Sequence, residues 1–222
     1  MADVAHHPAL AHQFDSLGQQ TEAATLGMWV FLVTEVLFFG GLFLTYAVYR
    51  SFYPAAFSAA SHELDILLGG INTAVLITSS LTMALAVHAA QLGQRRLLMI
   101  FLVVTMVLGT VFLGIKAVEY YHKFAEHHVP GATFQFEREH QRHAQIFFSL
   151  YFIMTGLHAT HMIIGIVILA FLAYFAWKGR YDSTYYNPLE MTGLYWHFVD
   201  IVWIFLFPLL YLLGAHLHGA VH

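Results

Sequence analysis

The chain has 222 residues, 59% hydrophobic and only 10% charged, where soluble domains run near ~45–50% and ~25%. That balance excludes an ordinary soluble domain and marks an integral membrane protein, and a net charge of −4 with nine Lys+Arg leaves no basic patch for nucleic acid. There are no cysteines, which excludes disulfides, iron–sulfur clusters, CxxCH haem attachment and a thiolate-bridged copper centre.

Residues 1–26 read as a polar N-terminal segment. Its first stretch, MADVAHHPALAHQFDSLGQQTEAA, has no Lys or Arg and no isolated apolar core followed by a cleavage site. The first long apolar segment is therefore expected to be retained rather than removed as a signal peptide. A membrane-spanning helix needs about 20 mostly apolar residues. Five segments qualify, at 27–49, 66–90, 97–121, 146–177 and 194–214, with 215–222 a short tail. Backbone polar groups in lipid must bond within a helix or around a closed barrel. Barrel strands alternate apolar and polar over about 10 residues, whereas these segments are continuously apolar over longer runs. The expected fold is an all-α integral membrane protein, a five-transmembrane-helix bundle spanning 27–214.

Five spans put the termini on opposite sides. The N-terminal side carries Arg95, Arg96, Lys178 and Arg180 on two short loops. The other side carries Arg50, Lys123, Arg138 and Arg142 on longer loops, with Glu63, Asp65, Glu126, Glu137 and Glu139. The counts tie, and the greater density on the short loops favours an N-terminus inside.

Ionisable groups within a span cost about 2.5–3.5 kcal/mol on insertion scales and face protein or a pathway. In chain order they are Glu35 in the first span, Lys116 and Glu119 in the third, His158 and His161 in the fourth, and His197 and Asp200 in the fifth. The last three pairs are each at i, i+3, so each shares a helix face. The Glu and His residues can ligate a metal or haem in a bundle, or they can hydrogen-bond across helices and fix packing. Glu35, among Phe31, Phe38 and Phe39, can relay protons or donate a single hydrogen bond to a neighbour. Asp200 can hold the His197 imidazole in one tautomer. Lys116 and Glu119 read as a satisfied interfacial pair, and Glu119 with Lys123 as an i,i+4 pair in the favourable order. Asn72, Thr73, Thr78, Ser79, Ser80 and Thr82 read as helix–helix glue. Tyr120, Tyr121, Tyr185, Tyr186, Tyr195 and Trp196 read as an interfacial aromatic belt. The loop 122–145 holds five histidines and reads as solvated rather than as a metal site.

Five blocks then lift the sequence above the generic. GMWVFLVTEVLFFGGLF, GGINTAVLITSS, GIKAVEYYHKF, TGLHATHMIIG and LYWHFVDIVWIFLFPLLYLLG resemble, in family order, subunit III of cytochrome c oxidase. The likeness covers 27–214, and the chain looks like the compact five-span form of a subunit that often has seven. The resemblance implies a non-catalytic subunit of a respiratory haem–copper oxidase, which reduces oxygen with electrons from cytochrome c and pumps protons. It implies that this chain binds no haem, copper or other metal, since those sit in partner subunits. It implies packing against the catalytic subunit I, company with the copper-bearing subunit II and other oxidase or supercomplex subunits, and structural phospholipids. Glu35 matches the family's buried acid, His158 and His161 its GLHxxH element, and His197 and Asp200 its WHFVD element. The expected setting is a bacterial-type plasma membrane, N-terminus cytoplasmic and C-terminus outside. The matching subunit of a ubiquinol oxidase and the accessory subunit of a nitric oxide reductase remain related alternatives. A stand-alone transporter using Glu35 as proton carrier is an alternative of a different class.

Overall fold

The computed structural model describes residues 10–131, 134–136, 141–181 and 185–212. The expected loop charges Glu137, Arg138 and Glu139, the loop histidine His140, and the segments 1–9 and 213–222 lie outside the described residues. Every regular element among the described residues is helical. In chain order they are α1 (Leu17–Phe52), α2 (Pro54–His62), α3 (Ile66–Gln91), α4 (Arg95–Ala125), α5 (Gln141–Trp177) and α6 (Asn187–Phe207), the last continued by a π-helical turn, Pro208–Leu212. Five of these are long and apolar enough to cross a membrane, which is the expected five-span bundle.

Helix ends follow local chemistry. Ser16 caps α1 by accepting from the Gln19 N–H at 3.2 Å, so α1 starts at Leu17 rather than near 27. Its polar first turns are helical but outside any apolar run. Pro54 stops α1, because proline cannot continue a helix, and then opens α2 at N1, where its missing N–H costs nothing. Asp65 caps α3 through the Leu68 N–H at 3.0 Å. Gly93 makes the α3–α4 turn in the left-handed region, φ +66°, which glycine adopts at little cost. At the other end of α5, the Arg95 side chain donates to the Ala176 carbonyl at 2.9 Å, satisfying one of the orphan carbonyls of a helix C-terminus.

The core centres on α6. Trp196 and Trp203 are both fully buried. Trp196 lies between α4 and α5 where both present glycine. A Cβ on Gly109 or on Gly165 would sit 2.9 Å from the indole, closer than carbon atoms tolerate. The indole N–H donates to Ser79 Oγ on α3 at 3.0 Å. Trp203 donates to Thr73 Oγ1 at 3.1 Å and meets Phe112 edge-on at 4.8 Å. These contacts, with Thr82–Thr105 at 2.8 Å, make Thr73, Ser79 and Thr82 interhelical glue, though Thr78 bonds its own helix at Ala74 and the buried Asn72 side chain has no hydrogen-bond partner among the described residues. Trp196 and Tyr195 are therefore core residues rather than members of an interfacial belt. α6 starts at Asn187, about two and a half turns before Trp196.

Pro208 lacks an N–H and its ring crowds the preceding turn, which widens the helix there. Carbonyls freed in lipid need a donor. Tyr46 of α1 donates to the Leu209 carbonyl at 2.8 Å, and Ser61 of α2 to the Leu210 carbonyl at 2.8 Å. α2 thus earns its place as a latch on the end of α6.

A candidate intramembrane polar network

Glu35 on α1 and His161 on α5 meet: Nε2 to Oε2 is 3.1 Å. His161 Nδ1 lies 2.8 Å from the Leu157 carbonyl. A carbonyl only accepts, so Nδ1 carries hydrogen. A hydrogen bond between Nε2 and the Glu35 carboxyl then takes a proton on one side of the contact, from the acid or from the ring. Phe39 packs edge-on against the imidazole at 5.4 Å. Tyr195 donates to the His161 carbonyl at 2.9 Å, tying α6 to the same turn of α5.

His158 takes other neighbours. It is buried between the rings of Phe112, at 5.3 Å, and Trp203, at 5.2 Å. Neither ring nitrogen has a hydrogen-bond partner among the described residues. The two histidines share a side of α5 but not a ligand.

His197 is held by Ser80 of α3, Nδ1 to Oγ 2.6 Å. Asp200 does not hold it, contrary to the sequence expectation. Asp200 is 2% exposed and its carboxyl lies close to Ser80, yet neither of its oxygens has hydrogen-bond geometry to a donor among the described residues. The short contact of Ser80 is with the imidazole.

The densest cluster joins α4, α5 and the turn after α6. Lys116 Nζ donates to Glu119 Oε2 at 3.0 Å, to Tyr151 OH at 3.1 Å and to Tyr211 OH at 2.9 Å. Tyr151 donates to Glu119 Oε1 at 2.7 Å, and Tyr211 to the same oxygen at 2.5 Å. Nζ also sits 5.2 Å from the Trp203 ring centroid. The pair is satisfied, as expected, but it is buried inside protein and paired with two phenols that hydropathy had no reason to single out. Tyr120 belongs here too, bonded to Thr155 at 2.6 Å.

Lys123 pairs with Glu126, at 2.5 Å, and not with Glu119, whose oxygens are already engaged by Lys116, Tyr151 and Tyr211. Beyond the end of α4, His128 stacks on Phe148 at 5.1 Å, and His143 on Tyr53 at 3.8 Å. The solvated-loop reading therefore suits the exposed His122 and His127 but not these two. Burial pushes the Glu126 carboxyl up, but Lys123 and His128 hold it below its usual value. Burial and Lys123 push His128 down, against Glu63 and Glu126. Among the described residues, Glu63, Glu126 and His128 bring ligand atoms within 4.8 Å of one another, and Lys123 already neutralises Glu126 there. The five intramembrane candidates do not converge. Glu35 and His161 pair, while His158, His197 and Asp200 have separate surroundings.

Five apolar spans with ionisable groups tied to one another across helices define a multi-pass helical membrane protein. The family profile described as Cytochrome c oxidase subunit III matches residues 10–215. The chain belongs to that family of haem–copper oxidase subunits. It is 36% identical over 188 residues to a protein of Synechocystis sp. named "Cytochrome c oxidase subunit 3", covering 84% of this chain and 74% of that one. It is 31% identical over 212 residues to a protein of Staphylococcus epidermidis named "Probable quinol oxidase subunit 3", covering 94% and 98%.

Proposed function

We propose that this chain is the non-catalytic third subunit of a proton-pumping terminal oxidase that takes electrons from cytochrome c. It holds the catalytic subunit in its working form and sits beside the copper-bearing subunit, with haem and copper in those partners. The observation that carries this reading is the mutual engagement of the buried charges. Lys116 and Glu119 are spent on each other and on Tyr151 and Tyr211, so the interior serves as a stiff scaffold. Around it, large apolar side chains such as Leu26, Leu37, Leu44, Val107 and Phe171 face outward, fitted to lipid and to partner helices. The Glu35–His161 pair, shared between α1 and α5 near the surface, supports proton uptake by passing one proton between its two members. Structural phospholipids fill the remaining outer grooves.

The chain lies in a bacterial-type plasma membrane with its N-terminus inside. Support comes from the cations Arg95 and Arg96, which open α4 just after the short α3–α4 turn, and Lys178 and Arg180 in the α5–α6 connection. The Staphylococcus likeness equally supports a quinol-fed complex, and one preparation separates the two. The tagged chain is purified in mild detergent, the co-purifying subunits are identified, and oxygen uptake is measured with reduced cytochrome c and with a quinol. Haem-bearing partners with uptake from cytochrome c are expected. Uptake from quinol alone overturns the donor, and a chain that purifies without a haem-bearing partner overturns the assignment.

A further inference from the structure

We infer that Tyr195 is a positioning residue for the Glu35–His161 pair: from α6 it holds the imidazole and the facing turn of α1 in the register that keeps Nε2 on the carboxyl. The inference deepens the proposed function, in which that pair passes a proton, and takes its consequence from that reading.

The pair needs holding. It joins α1 to α5, and 15% of the His161 side chain and 19% of the Glu35 side chain remain exposed, so burial alone does not fix the contact. α1 packs less on α5 than on α6. A hydrogen bond of 3.1 Å is lost when its partners part by about 0.5 Å. Within α5 the imidazole is anchored at one atom, Nδ1, by the Leu157 carbonyl one turn back. Its distance from α1 depends on what stands between the helices.

Tyr195 stands there. Its ring lies beside the imidazole, with centroids 6.4 Å apart and planes at 30°, and it meets Phe31 at 6.0 Å. Phe31 precedes Glu35 by about one turn of α1. One side chain of α6 therefore touches both the turn that carries the imidazole and the turn that carries the acid, and it spaces them. The hydroxyl fixes the spacer. It donates at 2.9 Å to the backbone carbonyl of His161, the residue whose ring it flanks. A carbonyl has two lone pairs and can take the phenol while keeping its helical bond. Gly165, one turn further along α5, opens the approach, since a Cβ there would lie 3.2 Å from Tyr195 Cε1. Phe39 also touches the imidazole, edge-on at 5.4 Å, but carries no polar group to lock its own place. Phenylalanine at 195 would fill the same space and lose only the lock.

The test uses the whole complex purified from membranes, unmutated, with Tyr195→Phe and with Thr82→Val. Thr82→Val removes the Thr82–Thr105 link between helices that do not carry the pair, and so controls for general loosening. Infrared bands of the Glu35 carboxyl are assigned by their loss in Glu35→Gln. Tyr195→Phe is expected to shift or broaden those bands. It is also expected to slow sustained oxygen uptake roughly fivefold, the size of one lost neutral hydrogen bond, with the KM for the electron donor and the haem spectrum unchanged. Thr82→Val is expected to leave the bands in place. Bands unmoved by Tyr195→Phe, or moved equally by Thr82→Val, overturn the inference and leave the proposed function standing. Bands moved by Tyr195→Phe with uptake unchanged uphold the positioning and overturn proton passage as the contribution of the pair. A chain that purifies without a haem-bearing partner overturns the proposed function, and its own carboxyl bands still decide the positioning. If Tyr195→Phe does not assemble, 4-fluorophenylalanine at position 195, which keeps the length of the side chain but cannot donate, gives the same reading.

Discussion

Replacing Glu35 with Gln keeps a donor facing His161 Nε2, because the amide N–H can take the place of the acid proton at the 3.1 Å contact. Glu35→Gln is therefore expected to leave the complex intact on a native gel while removing the mobile proton. Oxygen uptake under sustained turnover is the measurement in which its loss should show. Glu35→Leu leaves the imidazole without its partner and is expected to loosen α1 as well. Lys116→Met is harsher, since it abandons Glu119 inside the bundle with only two phenols. Removing one member of a buried pair costs about 3–5 kcal/mol, so a clear fall in melting temperature in detergent is expected, with no shift of the partner haem spectrum. Outside the membrane, His128 is held below its ordinary pKa, first by burial and then by Lys123. The unfolded chain then binds a proton that the folded chain refuses, so stability falls as pH drops below about 6.5. His128→Phe is expected to flatten the loss of melting temperature between pH 7 and 5. A slope equal to that of the unmutated protein would remove His128 as its source.

At the scale of helices, α6 is gripped on all sides and α1 on one. α1 buries Leu32, Phe39 and Tyr46, a single stripe at every seventh residue. α6 buries both of its tryptophans, the first against two glycines. Gly165→Ala forces a Cβ toward the Trp196 ring, and overpacking of this kind costs about 1–3 kcal/mol. A lowered melting temperature is the expected result, partly rescued by Trp196→Phe, which clears the space. The five spans were readable because hydrophobic length is a local property. α2 was not: PAAFSAASH is nine residues long, too short and too mild to register, although Pro54 was a usable start signal. Trp196 reads as a belt residue in the sequence because the apolar run starts beside it, whereas α6 itself starts at Asn187. The polar partners were half legible. Depth and helix face were visible for Glu35, His161 and Lys116. That Ser80 and not Asp200 holds His197, and that Tyr151 and Tyr211 complete the Lys116 cluster, depends on how α3, α5 and the α6 terminus come together, and no one-dimensional pattern records that.

Across the whole molecule, large apolar side chains cover the outside as well as the core, a departure from soluble proteins that suits a part built to be surrounded. α1 packs chiefly on α6 and α5, elements far from it in the chain. The latch of Tyr46 and Ser61 on the Leu209 and Leu210 carbonyls closes only with the last turn. A chain emerges from the ribosome N-terminus first, so α1 enters the bilayer three spans ahead of α5 and four ahead of α6, the helices that will hold it. During that interval Glu35 has no His161 and the phenol of Tyr46 has no carbonyl. A product halted after α4 therefore displays an unmatched acid in lipid, a mark of incompleteness that membrane quality control can recognise. Pulse-chase labelling should find it cleared faster than the full-length chain, and Glu35→Leu should slow that clearance.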